Sequence, residues 1–84
     1  MRKKNLVGER IRDVRRKSKP PVTQLDLVAR LGLQGLIIDQ SALSKIENGQ
    51  RPVSDLEVSA FAKALKVPVS QLYGEKSGNI KYDS

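Results

Sequence analysis

The stretch that most limits how this chain can fold is Gln40–Arg51, Q-S-A-L-S-K-I-E-N-G-Q-R. Leu43 and Ile46 stand three apart and share one helical face. Gln40, Ser41, Ala42 and Lys45 fall on other faces, and most of them can hydrogen-bond. Asp39 stands where an N-cap accepts from free backbone N–H groups. Asn48-Gly49 tolerates the left-handed conformation that ends many helices, and Arg51-Pro52 prevents continuation. The helix predicted over 40–48 has about two and a half turns, too short to persist alone. Other segments must hold it, and its polar outer face is left for a partner.

At 84 residues the chain suits one small domain. One Phe, two Tyr and no Trp require a largely aliphatic core. The absence of Cys and His removes disulfides, cysteine–zinc sites, thiol catalysis and the commonest general base. Carboxylate chemistry is left, but no acidic pair stands out. No catalytic residue, metal ligand or cofactor is therefore assigned, and an enzyme is the least favoured class. No apolar run is long enough to span a membrane, and M-R-K-K-N is not followed by the apolar segment of a signal peptide, which points to a cytoplasmic protein. The net charge is +7. Residues 1–20 hold nine Lys/Arg against Glu9 and Asp13, which equals the whole excess. A charge so placed suits an anionic partner, nucleic acid first.

Taken in order, residues 1–4 read as a flexible basic arm. Residues 5–17 form a first helix, capped by Asn5, with Val7, Ile11 and Val14 as its buried stripe. Arg10 lies beside that stripe and needs a partner, whereas Arg12, Arg15, Arg16 and Lys17 point elsewhere. Lys19-Pro20-Pro21 ends the helix. Thr23 opens the second helix with Asp26 as its capping-box partner. Val28 and Leu31, with Leu25 or Leu27, supply the apolar face, and Ala29 permits close approach of another helix. The segment 32–38, G-L-Q-G-L-I-I, is too apolar for a free loop; it is predicted to pack on the core with at least one isoleucine inside. A short strand is the alternative. Glu47 ends the third helix, where negative charge opposes the helix dipole; it needs a basic partner, and Arg10 is the candidate. Ser54 and Glu57 form a capping box for a fourth helix, whose core face is Val58, Phe61, Ala62 and Leu65. After Val67-Pro68, Ser70 caps a last short helix ended by Gly74, with Leu72 and Tyr73 turned inward. Residues 75–84 are polar and aperiodic. The fold predicted is all-α: a compact five-helix domain over 5–74, an arm at 1–4 and a mobile tail at 75–84.

The ordered segments G-E-R-I-R-D-V-R, T-Q-L-D-L-V-A-R-L-G, S-A-L-S-K-I-E-N-G-Q-R, L-E-V-S-A-F-A-K-A-L-K-V and S-Q-L-Y resemble the lambda repressor/Cro-like (XRE) helix-turn-helix family of bacterial and phage regulators. The resemblance covers about residues 5–74. It implies a lambda-repressor-like fold whose second and third helices form the helix-turn-helix, with the third in the major groove. It further implies base contacts from Gln40, Ser41, Ala42 and Lys45, phosphate contacts from Gln24, Asn48 and Arg51, and an Arg10–Glu47 pair tying the first helix to the third. The link from L-G to the third helix is several residues longer than the family's usual one, as in its long-turn subgroup, so the helix crossing angle is not fixed by the resemblance.

The function expected is a sequence-specific, DNA-binding transcriptional regulator, a repressor, acting on double-stranded DNA as a homodimer. The dimer contact is placed on the fifth helix at Leu72 and Tyr73. The bound form would be associated with the nucleoid. Two alternatives remain: an antitoxin-like protein-interaction module, favoured by an exposed patch at Leu36 and Ile37, and a non-specific nucleic-acid binder, favoured by the basic first helix. No small-molecule ligand is evident.

Overall fold

The computed structural model describes residues 6–73, and over that range the chain is five helices. They are α1 (Leu6–Lys17), α2 (Gln24–Leu33), α3 (Gln40–Glu47), α4 (Asp55–Leu65) and α5 (Val69–Tyr73). Among the described residues there is no strand, so the turn before α3 is not the short strand considered as an alternative. The arm, Asn5, Gly74 and the tail lie outside the described residues.

The caps follow from the residues that precede each helix. Thr23 Oγ1 accepts from the Asp26 N–H at 3.0 Å, and the Asp26 carboxylate accepts back from the Thr23 N–H at 3.3 Å. Ser54 and Glu57 repeat the arrangement at 3.2 and 3.0 Å. Asp39 Oδ1 accepts from the Ala42 N–H at 2.8 Å, which starts α3 where the sequence placed it. The last helix differs. It begins at Val69, so Ser70 lies within its first turn and does not cap it; the Pro68 carbonyl accepts from Gln71 N–H instead.

Three helices end in the same way. After α2, Gly35 takes a positive φ of 88°, and the Leu36 N–H turns back onto the Leu31 carbonyl. After α3, Gly49 does so at 79°, and the Gln50 N–H reaches the Lys45 carbonyl. After α4 the left-handed position falls on Lys66, with φ 62°, and the Val67 N–H reaches the Ala62 carbonyl.

Helix α1 packs against α3, α4 and α5, while α2 packs against α3 and α4. Ile11, Leu27, Leu31, Leu43, Ile46, Phe61 and Leu72 are completely buried where these helices meet. Val7 and Val14 flank Ile11 and are half-buried against the core. The choice left open on α2 goes to Leu27, because Leu25 is 63% exposed. Ala29 is exposed and so does not mediate a close helix approach. In the turn between α2 and α3 the side chains alternate: Leu36 and Ile38 pack on the core, and Ile37 points out. That is how a connection of this length crosses an apolar surface without helical structure.

Helix α5 carries a correction. Leu72 is completely buried within its own protomer and cannot serve as the outward contact of a dimer; Tyr73 is partly exposed, and its hydroxyl donates to Asp55 Oδ1 at 2.8 Å.

Candidate nucleic-acid interface

Helix α3 presents Gln40, Ser41 and Lys45, and its C-cap Asn48, to solvent on the side opposite Leu43 and Ile46. These four, with Gln24, Ser44 and Gln50, line a groove of about 460 Å³. A second groove of about 510 Å³ continues from it toward α1, sharing Gln24, Gln40, Ser44 and Asn48 and adding Arg12, Arg15 and Arg16. The two make one continuous polar surface with arginines on its α1 border. Such a surface offers hydrogen bonding at its centre and positive charge at its edge, the combination that base edges and flanking phosphates require.

Helix α3 is anchored from below by a charged network. Arg15 Nε donates to Glu47 Oε2 at 2.7 Å, and Arg15 Nη2 donates to Glu47 Oε1 at 2.8 Å. The third guanidinium nitrogen, Nη1, donates to the Val22 carbonyl at 3.1 Å. Both side chains are nearly inaccessible, with Arg15 8% and Glu47 2% exposed. A buried charge is tolerated when it is paired and its remaining polar atoms are bonded. Gln24 Nε2 adds a further bond to Glu47 Oε1 at 3.1 Å, and its own Oε1 accepts from Gln40 Nε2 at 3.2 Å. A chain of bonds therefore runs from α1 through the end of α3 to the start of α2 and back to the first residue of α3.

Glu47 does have a basic partner, as its place at a helix end requires, but the partner is Arg15, not Arg10. The physical reason lies in which flank of α1 faces α3. Arg15 is four residues after Ile11 and sits almost on the buried stripe, on the flank that meets α3. Arg10, five residues earlier, lies about 140° around the helix from Arg15, on the other flank, where it lines a cavity with Val67 and Gln71. Arg10 stands in the same i, i+4 relation to Val14, so spacing along α1 does not choose between the two arginines; the packing of α1 against α3 does.

Of the other site residues, Gln24, Gln40, Ser41, Lys45 and Asn48 come together on the polar surface. Ala42 is half-buried and is not part of the groove lining. Arg51 is committed elsewhere: Nη2 lies 3.0 Å from Glu57 Oε2, so the cation is matched by a carboxylate at the start of α4. The same guanidinium holds the Glu57 carboxyl below the usual range, outweighing its partial burial; the Ser54 backbone N–H acts in the same direction. Four residues that the sequence reading did not select border the surface: Arg12, Arg16, Ser44 and Gln50. Arg12 and Arg16 are four apart on one face of α1, and that spacing marks a basic strip beside the second and third helices.

None of the described helices is long and apolar enough to cross a membrane. No curated protein and no solved structure matches the chain. A family model described as helix-turn-helix matches residues 15–72, well over half of the sequence. Its span runs from the arginine that anchors α3 to the leucine that seats α5. With the all-helical fold, the capped α2–α3 pair and the polar outer face of α3, this match shows that the chain belongs to the lambda repressor/Cro-like helix-turn-helix family, a family of DNA-binding, transcription-regulator-type domains and not a class of enzymes.

Proposed function

We propose that the protein is a sequence-specific transcriptional repressor of bacterial or phage type, reading the major groove with α3. The single observation that carries this reading is the bonded chain Arg15–Glu47–Gln24–Gln40 beneath an otherwise solvent-facing polar helix face. A side chain that must discriminate between bases gains from being held in place beforehand. Gln40 gives one N–H to Gln24 and keeps its carbonyl oxygen and second N–H for the two-point contact that an adenine edge accepts. Ser41 and Lys45 extend the reading along the strand, with Lys45 suited to guanine. Gln24 keeps one amide N–H for a phosphate oxygen, and Asn48 offers its amide at the other end of α3. Arg12 and Arg16 join them as phosphate contacts, whereas Arg51 contributes less because Glu57 holds it.

One reading helix covers a short site, and two-fold pairing places two of them about one DNA turn apart. The homodimer contact is assigned to exposed apolar side chains at α5 and the start of α4, Val69, Tyr73 and Leu56, with Leu72 supporting them from inside. The site of action is the cytoplasm, on the nucleoid.

Selection of bound duplexes from a random DNA pool, at near-physiological salt, tests this. Enrichment of an inverted repeat is the expected result. Enrichment of a single short site would keep base reading and remove the symmetric dimer. The antitoxin-like alternative draws support from Leu33 and Ile37, both more than 80% exposed around the α2–α3 turn. It becomes the better reading if no duplex is enriched and Ile37→Asp abolishes capture of a defined partner protein.

A further inference from the structure

On the flank of α1 turned away from the polar surface lies a cavity of about 320 Å³, between α1 and the α4–α5 turn. Arg10, Asp13, Val14 and Lys17 line it from α1, with Ser18 just beyond the helix; Val67 and Gln71 close the other side. The Nε of this lining arginine is buried and has no hydrogen-bond partner among the described residues. The other arginines that reach inward differ. Arg15 holds Glu47, Arg30 Nη1 donates to the Ala64 carbonyl at 3.2 Å, and Arg51 holds Glu57. A buried guanidinium N–H without an acceptor is costly, so a small shift of the Arg10 side chain toward an acceptor in the cavity it lines relieves that cost. Lys17 brings a second positive charge to the same helix face, one turn beyond Val14 and two beyond Arg10. Ser18 Oγ donates to the Val14 carbonyl at 2.9 Å, so toward the cavity it can only accept. The Gln71 amide can donate. Val14 and Val67 give the cavity an apolar floor packed on the core.

We propose that this cavity binds a small molecule through an oxyanion, carboxylate or phosphate, seated against Arg10 and Lys17. Asp13 and Ser18 supply acceptors at the rim, so a ligand that pairs its oxyanion with a hydroxyl or ammonium group is preferred over a bare multiply charged anion. Arg12 and Arg16 lie roughly 200–240° around α1 from Arg10. The cavity is therefore filled independently of the DNA-facing surface, and its ligand bridges α1 to the α4–α5 turn.

Arginine Nε–H groups can be followed by nitrogen-15 NMR, so the full chain is titrated with inorganic phosphate and, separately, with acetate. Chloride keeps the ionic strength constant. The expected result is a saturable shift of the Arg10 Nε–H together with the Ser18, Val67 and Gln71 backbone amides, on a curve distinct from that of Arg12 and Arg16. A response to phosphate alone identifies a phosphate-bearing ligand, and a response to acetate alone a carboxylate-bearing one. Lys17→Gln, at an exposed position, is expected to keep the fold and weaken binding several-fold. Asp13→Asn is expected to tighten phosphate binding. A shift of Arg10 that never saturates with either probe, or a curve unchanged by Lys17→Gln and by Arg10→Gln, would overturn the proposal.

Discussion

Glu47 and Phe61 are almost equally buried, at 2% and 0% exposed, yet they hold the molecule together by opposite means. Phe61 sits among Ile11, Leu43, Leu65 and their neighbours in the apolar core, where stabilisation scales with area withdrawn from water and has no direction. Glu47 sits in a charged network whose value depends on every member being present. The apolar half sets how stable the fold is. The polar half sets where α3 stands relative to α1 and α2. That division suits a domain in which α3 must be placed accurately while α4 and α5 need only be packed.

The largest effects separate the two halves. Phe61→Ala is expected to cost about 3–5 kcal/mol, and Glu47→Ala a similar amount, because Arg15 would be left buried and unpaired. The test of the difference is rescue. Adding Arg15→Met to Glu47→Leu is expected to bring unfolding free energy back to within about 2 kcal/mol of the parent, measured by denaturant titration, while DNA affinity stays low. Phe61→Ala is expected to have no such rescue unless a second substitution refills the lost volume. If the double change is as unstable as the sum of the single ones, the network is not a unit. Arg10→Ala is expected to leave the melting transition within about 1 kcal/mol of the parent, in contrast to Arg15→Ala.

Smaller effects sharpen the comparison. Gln24→Ala removes bonds to Glu47 and Gln40 and is expected to cost about 1 kcal/mol in folding. Its loss of operator affinity is expected to exceed that, read by fluorescence anisotropy. Equal losses would reduce Gln24 to a structural role. Lys66→Gly is expected to raise stability by about 1 kcal/mol, because Lys66 occupies the left-handed position that glycine takes after α2 and α3.

The smallest effect is a pH dependence. The Glu57 carboxyl is held low in the folded state by Arg51, so its contribution is present above the unfolded carboxylate pKa and is lost as pH falls through the folded value. Glu57→Gln is expected to flatten that part of the stability–pH profile in the acid range. A profile unchanged by the substitution would remove the Arg51–Glu57 pair from the energetics.

Much of the apolar half is legible in the sequence because periodicity reports it directly. Val58, Phe61, Ala62 and Leu65 repeat at helical spacing, and all are buried. Caps at Thr23, Asp39 and Ser54 are equally local, since a side chain and the backbone three residues on decide them. The polar half is legible only in part. That Glu47 needs a cation follows from its place at a helix end, but which cation depends on the rotation of α1 against α3, a long-range fact. The α5 contact resists reading because a five-residue helix shows too little periodicity to separate the buried Leu72 from the half-open Tyr73. The long turn resists it for another reason. Its alternation of Leu36, Ile37 and Ile38 has strand periodicity without a strand, and only the core beneath it shows which side is inside.

The most direct measurement repeats the duplex selection with Gln40→Ala and Lys45→Ala, after thermal melting shows both to be folded like the parent. If α3 reads bases from a helix held by Gln24 and Glu47, each variant enriches the parent motif with preference lost at one base position per half-site, and different positions for the two. If both variants enrich the unchanged parent motif, or the parent enriches none, α3 is not the reading element and its polar face serves another partner.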